Sequence, residues 1–384
     1  MIKINTRSPY YIKVSNGSLA SATMKLYIYT GVFTTNKPVS PQYTITKNEI
    51  STNNYVVFEI SELVRDYLDI NFNGEYDSQT VWVESDITIY DAINGGGSIV
   101  TTSNTDYIAF DGYGYFEQGI NPELSRTYLQ SNKVIHRLDD YNVRVPIFTE
   151  DTNSVTFLYK GETKRTELIS TSTNTNGQID YITVSGSDNT DNYKERVLAD
   201  GGTFEDSTCL KAFLDTIDSG LVDELYINSD NGTEVIKIIT DECSKYTPYK
   251  ITFVNKFGVL QDIYFGLKST ESITTKGETY KSNLVDFGTL SYDVSKPQLS
   301  QYNKGGKETI TLNTNYLSEQ YNEVIKELML SEQVWLTKLT DTELVLSVIP
   351  KTSSVTYKTI LNDKLIQYTI DFDYSFDKIN TIRW

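Results

Sequence analysis

What most limits the fold of this chain is a period-two alternation of apolar and polar residues, recurring in short runs that Gly, Asn, Asp or Pro closes. Such alternation turns one face of a strand toward a core and the other toward water. In ATMKLYIYTG, Met24, Leu26 and Ile28 fall on one side while Lys25, Tyr27 and Tyr29 fall on the other. The same grammar runs through YYIKVS, PQYTITKNEI, YVVFEI, QTVWVESDITIYD and SNTDYIAFDGYGYFEQG. Only SELVRDYL breaks it, a short helix with Ser61 as N-cap and Leu63, Val64, Tyr67 and Leu68 as its apolar stripe. Residues 1–125 are therefore expected to form a β-sandwich of immunoglobulin or fibronectin type III kind.

The alternation continues through residues 126–268 in VTFLYK, DYITVSG, ELYINSD, EVIKIITD and YKITFVNKFGVLQDIYFG, which predicts a second sandwich-like unit with CLKAFLDTI as a short helix. The last of these runs is a dense hairpin. It turns at Asn255-Lys256-Phe257-Gly258, where Gly258 can take a positive φ, and it joins this unit to the next. KSTESITTKGETYKSNL is polar and rich in Ser and Thr, and reads as a linker or exposed loop.

Residues 269–384 change character and predict an α+β unit. Leu317, Tyr321, Val324, Ile325 and Leu328 make one helical stripe, with Ser318 as N-cap, Glu319 at the positive end of the helix dipole, and Glu323, Lys326 and Glu327 toward water. Val334, Trp335 and Leu336 then begin a strand, and TELVLSVI supplies another. Val355, Tyr357, Thr359 and Leu361 alternate up to a reversal at Asn362-Asp363. Leu365, Ile366, Tyr368, Ile370, Phe372 and Tyr374 return. Arms of about nine residues reach about 30 Å, and a hairpin of that length needs a sheet or a neighbouring subunit to cover it. Subunit contacts are expected at Glu319 to Trp335 and Lys351 to Phe376, through Tyr321, Lys326, Trp335, Tyr357, Leu361, Asp363, Leu365, Tyr368 and Phe372.

Composition bounds the function classes. A chain of 384 residues exceeds what one core usually supports, and 29 Tyr with 15 Phe give it ample apolar surface to bury. A net charge of -17 argues against a general nucleic-acid binder, which needs a basic face to displace counterions. It suits a soluble surface, or one past which nucleic acid slides without sticking. Cys209 and Cys243 are too few for a disulfide framework and match no zinc spacing; no signal peptide or membrane span is legible. A reducing, soluble compartment is expected.

Sites of chemistry are sparse. Asp69-Ile70-Asn71-Phe72-Asn73-Gly74-Glu75-Tyr76-Asp77 matches the first half of a calcium loop, with Asp69, Asn71, Asn73 and Asp77 as oxygen donors. Thr80 stands where a bidentate Glu should close it, and Asn-Gly beside Asp is also ordinary turn chemistry. The single histidine, His136, has no nucleophile or metal partner at recognisable spacing, and the acids of SGSDNTDNY have no ligand order. No catalytic constellation or cofactor motif emerges, so an enzyme is not expected.

The runs YKITFVNKFGVLQDIYF, KSTES, KGETYKSN, KETITLNTNYLSEQYNEVIKELMLSEQVWL and TSSVTYKTILNDKLIQYTIDFDYSFDKINTIR resemble a family of virion proteins from tailed phages of Bacteroidota, including crAss-like phages. The resemblance extends more loosely to the N-terminal unit through SELVRDYL and QTVWV. It implies a structural role in the virion as a homo-oligomeric ring in the neck or tail. Other neck and tail proteins would be its neighbours, DNA would pass through its channel, and no catalytic residues come with it. Manufacture in the host cytoplasm is implied too, and the Asn, Thr, Tyr, Ile and Lys bias suits an AT-rich phage genome. The competing expectation is a carbohydrate-binding or adhesin protein of β-sandwich modules, with Trp82 or the cluster from Tyr113 to Phe116 as a sugar platform; core and cross-strand packing is the other use for those rings.

Overall fold

The computed structural model describes residues 1–49, 54–76, 80–91, 98–123, 126–138, 141–169, 179–184, 222–230, 232–241, 246–339, 344–351 and 365–379. The chain is mainly β. Its first sheet has the order β1 (Ile2–Asn5), β7 (Ser98–Phe110), β6 (Thr80–Asp91), β3 (Leu19–Tyr29), β4 (Tyr43–Asn48), with β1 parallel to β7 and every other pair antiparallel. A two-stranded sheet of β2 (Tyr11–Ser15) and β5 (Tyr55–Glu59) shares its core: Met24, Leu26 and Ile28 of β3 pack with Val14, Val56 and Phe58. The alternation in β3 thus lands as its residues dictate, and Tyr27 and Tyr29 on the other face are covered as well.

The helix α1 (Ser61–Arg65) is shorter than its sequence stripe suggested. Ile60 occupies the N-cap position, the Ser61 hydroxyl instead bonds the Glu59 carboxylate, and Tyr67 is exposed beyond the helix end.

A second pair of layers comes next. One sheet runs β11 (Glu162–Leu168), β10 (Thr152–Tyr159), β13 (Glu224–Ser229), β14 (Gly232–Asp241), β8 (Val134–Leu138). The other pairs β12 (Ile179–Val184) with β9 (Val143–Phe148). Val155, Phe157, Leu225 and Ile236 from the first meet Val145, Ile147 and Ile182 from the second in one apolar core. CLKAFLDTI, SGSDNTDNY and both cysteines lie outside the described residues.

The third sheet has seven strands: β16 (Leu260–Phe265), β15 (Tyr249–Val254), β20 (Val334–Lys338), β21 (Leu344–Pro350), β23 (Thr369–Tyr374), β18 (Leu299–Asn313), β17 (Thr270–Lys281). It draws on residues either side of position 268, since the β15–β16 hairpin hydrogen-bonds to β20. Helix α2 (Tyr321–Leu330) buries the expected stripe of Tyr321, Val324, Ile325 and Leu328 against this sheet.

Two expectations at the helix fail. Ser318 is not the N-cap: with Leu317 it forms the short strand β19 (Leu317–Ser318), paired to β22 (Leu365–Ile366), and the helix starts after Gln320. Glu327, assigned to water, has a fully buried side chain because the helix is covered on a second side by the segment around Ser131 and Lys256.

The largest correction concerns KSTESITTKGETYKSNL. It is no linker: β17 and β18 form an antiparallel hairpin registered from Thr270↔Thr311 to Lys281↔Leu299, with a bulge between Lys276 and Glu278. At the usual rise a 12-residue arm extends about 40 Å. Polar side chains on both faces hid it, since a strand with neither face buried has no alternation to read. The hairpin expected over Lys351 to Phe376 is described only in β22 and β23; its arm with Tyr357 and Leu361 and its reversal at Asn362-Asp363 lie outside the described residues.

Candidate assembly site

Two features stand apart from ordinary core packing: the β17–β18 ribbon and a junction that locks three sheets together. The ribbon is exposed along the whole of β17 and through most of β18 up to Lys304. Its tip between Ser282 and Gln298 is apolar as well as exposed: Phe287, Leu290 and Val294 show 74%, 82% and 88% of their surface to solvent. Ser282 closes the ribbon below the tip, its backbone amide donating to the Gln298 carbonyl. Tyr280 and Tyr302 stack edge to face across the strands at 5.8 Å.

At the ribbon's base lies a groove of about 410 Å³ lined by Lys276, Asn303, Gly306, Lys307, Lys351 and Asp373. Thr309 Oγ1 donates to Asp373 Oδ1 at 2.6 Å, and Lys307 and Lys351 reach the same carboxylate at 3.2 and 3.5 Å. These partners, the threonine foremost, hold the Asp373 carboxyl below the usual carboxylate range.

The junction is built on the β15–β16 turn. Asn255 is wholly buried. Its Nδ2 donates to the Leu129 carbonyl at 2.8 Å and to Gln261 Oε1 at 2.9 Å, while its Oδ1 accepts from the amide of Phe257 at 2.9 Å. Tyr113 N donates to the Lys256 carbonyl at 2.8 Å, which ties the end of the first unit to the same turn. Around these bonds Trp82, Ile108 and Phe110 of the first unit, Leu129, Phe148 and Tyr181 of the second, and Val254, Phe257 and Leu260 of the turn form one shared apolar cluster.

Charged groups brace the same region. Arg65 contacts Asp111 at 3.2 Å and Glu332 at 2.5 Å, and Arg7 donates to the Leu330 carbonyl at the end of α2 at 3.0 Å. A cation there satisfies a helix-terminal carbonyl and complements the helix dipole.

Within the brace sits Glu327, a carboxylate with a 0% exposed side chain. Ser131 Oγ donates to its Oε1 and Lys256 Nζ lies 3.7 Å away, while Oε2 has no hydrogen-bond partner among the described residues. Burial outweighs the hydroxyl and the ammonium, with Glu323 alongside adding repulsion, and pushes the carboxyl up to about 7. Lys256 is shared with Glu323, 3.5 Å away, which Tyr115 also engages through a 2.7 Å hydrogen bond.

The sign of the resulting pH dependence is set by linkage. Between about pH 4.5 and 7 the folded chain holds a proton at Glu327 that the unfolded chain has released. Stability from this group is complete below the lower value and is lost as pH rises through the upper one, by about 3 kcal/mol in all. Glu327→Gln is expected to remove that slope and to stabilise the chain at about pH 8, read as the difference from the native chain in urea midpoints across the window.

The oligomer-contact residues expected from sequence divide by burial. Tyr321, Tyr368 and Phe372 are buried in the core beside α2, and the Tyr321 hydroxyl accepts from the His136 amide at 2.8 Å. Trp335 is partly buried and packs on Phe72 at 5.6 Å. Lys326 is part-exposed on α2, over the Tyr115 ring at 3.8 Å. Leu365 lies in β22, and Tyr357, Leu361 and Asp363 lie outside the described residues. Read as a linker or exposed loop, residues 268–284 do not announce the pairing of β17 with β18, although the apolar residues of LVDFGTLSYDV stand beside them.

No protein-family model matches the chain, and no curated protein matches it.

Of the calcium-loop residues, Asn73 Oδ1 accepts from the Glu75 amide at 3.0 Å and Asn71 Nδ2 donates to Asp69 Oδ2 at 3.4 Å, the local turn bonding that the Asn-Gly pair offers; Asp77 lies outside the described residues. The alternate residues carry the segment's role. Ile70 and Phe72 are buried in the shared cluster, and the Tyr76 hydroxyl donates to Asp262 at 2.6 Å, so this stretch straps the first unit to the third sheet. Among the described residues no group of three or more His, Cys, Asp or Glu could hold a metal. His136 is buried, its Nδ1 3.3 Å from Asp241 and its ring edge to face with Tyr321.

The aromatic platform for a sugar is not assembled. Trp82 is 2% exposed with its indole N–H on the Gly31 carbonyl, Tyr113 and Tyr115 pack under Arg7 and Lys256, and Phe116 alone of that cluster stands in solvent. Among the described residues no helix is long and apolar enough to cross a membrane.

Proposed function

We propose that this chain is a structural subunit of a tailed-phage virion that assembles with copies of itself into a ring in the neck or tail. The observation that carries the reading is the exposed β17–β18 ribbon with its apolar tip, a costly surface for a protein that works alone. The resemblance of the C-terminal sequence to virion proteins of tailed phages supports it. So does the junction, which packs three sheets around one shared apolar cluster.

In this reading the first two units are sandwiches of immunoglobulin or fibronectin type III kind and the third is the assembly unit. A chain with net charge -17 presents an acidic wall to the channel, so DNA slides through without adhering, and other neck or tail proteins cap the ring above and below. The protein is made in the host cytoplasm and ends in the particle.

Negative-stain microscopy of the purified chain and of intact particles tests this. Closed rings and matching density in the neck or tail are expected, with one high-order species by native mass spectrometry. Monomers unattached to any particle, or a ring whose channel wall is strongly basic, would overturn the reading.

A further inference from the structure

Taking the ring reading as its basis, we infer that the β17–β18 ribbon is an arm that docks, through its faces and tip, on an acidic surface of a second copy of this chain. β18 pairs with β23 only over Thr309–Asn313, so among the described residues the ribbon from Ser272 to Lys307 has no strand on either side of it. A two-stranded hairpin is marginal in water without a covering layer, and this one ends in large apolar side chains that its own chain leaves bare.

Charge names the occupant. Between Ser272 and Lys307 the ribbon carries Lys276, Lys281, Lys296, Lys304 and Lys307 against Glu278, Asp286 and Asp293, an excess of two positive charges. The chain as a whole stands at -17, so the remainder carries all of the negative balance and more. A basic arm on an acidic body is complementary to the body of another copy, and such a field steers the arm to it.

The mode of contact is set by the backbone. The bulge sets Asn303 and Lys304 of β18 opposite Gly277 of β17 and breaks the regular ladder midway along the ribbon, a device that opposes adding a further strand at its edges. The faces and the apolar tip remain. Because the arm meets a surface unlike itself, the contact is head-to-tail, the kind that closes into a ring when the rotation allows. The interspersed carboxylates and the apolar tip distinguish this arm from a DNA contact, which would present cations alone to phosphate.

The test compares three full-length chains by native mass spectrometry and sedimentation. They are the native sequence, a variant with Asn283–Gln298 replaced by Asn-Gly, and the quadruple charge swap K276E/K281E/K296E/K304E. The native chain is expected to form one high-order species whose subunit affinity weakens roughly tenfold or more between about 50 and about 500 mM salt. Both variants are expected to remain monomers with unchanged thermal midpoints, since every altered residue lies on the ribbon outside the cores. Mixed with the native chain, the shortened variant still offers a body, and is expected to cap growing assemblies into smaller species. If both variants assemble like the native chain, the arm inference falls and the ring reading stands. A native chain that stays monomeric while its arm lysines shift duplex DNA makes the arm a DNA contact and overturns the inference. A chain monomeric in solution and absent from particles takes both readings down.

Discussion

Gly258→Ala is expected to cost the folded chain about 4 kcal/mol, the largest loss for the removal or addition of so few atoms anywhere in the junction. Two penalties act together. Gly258 has φ +75°, a conformation that costs an L-residue about 1–2 kcal/mol. A Cβ there would also meet the backbone nitrogens of Asp111 and Gly112 at 2.7 Å, and backbone held in the shared cluster cannot swing aside as a side chain can. Gly161, in the turn between β10 and β11, separates the two terms: its φ is +80°, but a Cβ would touch nothing within 4 Å. Gly161→Ala is therefore expected to cost only about 1 kcal/mol. Equal losses for the two variants in urea denaturation would show that the close approach of the first unit to the turn contributes nothing.

Asn255→Leu is expected to cost a similar amount, about 4 kcal/mol, through unmade hydrogen bonds at nearly constant volume. The Leu129 carbonyl, Gln261 Oε1 and the Phe257 amide would all lose their partner inside a dry cluster. Each buried polar group left unpaired costs about 1–3 kcal/mol. Because these bonds join two units through one side chain, the variant is also expected to separate the unfolding transition into two steps, followed by tryptophan fluorescence against far-UV circular dichroism. A single transition with an unchanged midpoint would show the turn to be held by its apolar neighbours alone.

Both residues were visible in the sequence, but only as a turn. Asn255-Lys256-Phe257-Gly258 reads as the end of a hairpin because local φ preference is encoded locally. That the same four residues are the meeting point of three sheets depends on Leu129, Asp111 and Gly112, remote in sequence, and no spacing reports such contacts. The stripe of α2 was legible for the same local reason, while the burial of Glu327 was not: a charged residue on the far side of a stripe points to water unless another segment covers it, and Ser131 does. Ile70 and Phe72 show the opposite trade. Their oxygen-bearing neighbours drew attention as ligands, while the apolar residues between them were the ones that set the segment's place. The β17–β18 ribbon escaped because period-two alternation is a record of one-sided burial, and a strand solvated on both faces leaves none.

The continuity of β18 has a mechanical consequence. One strand runs from the bare end of the ribbon at Leu299 to Ile310 and Leu312, which are sealed in the core. Its ladder to β23 lies across the strand direction, so a pull on the tip along the ribbon loads the pairs from Thr309 to Asn313 in shear at once instead of opening them one after another. Tension arriving at the tip therefore passes undivided into the seven-stranded sheet. Through β15 and its locked turn it is shared by all three units, which makes the chain a stiff link suited to carrying load.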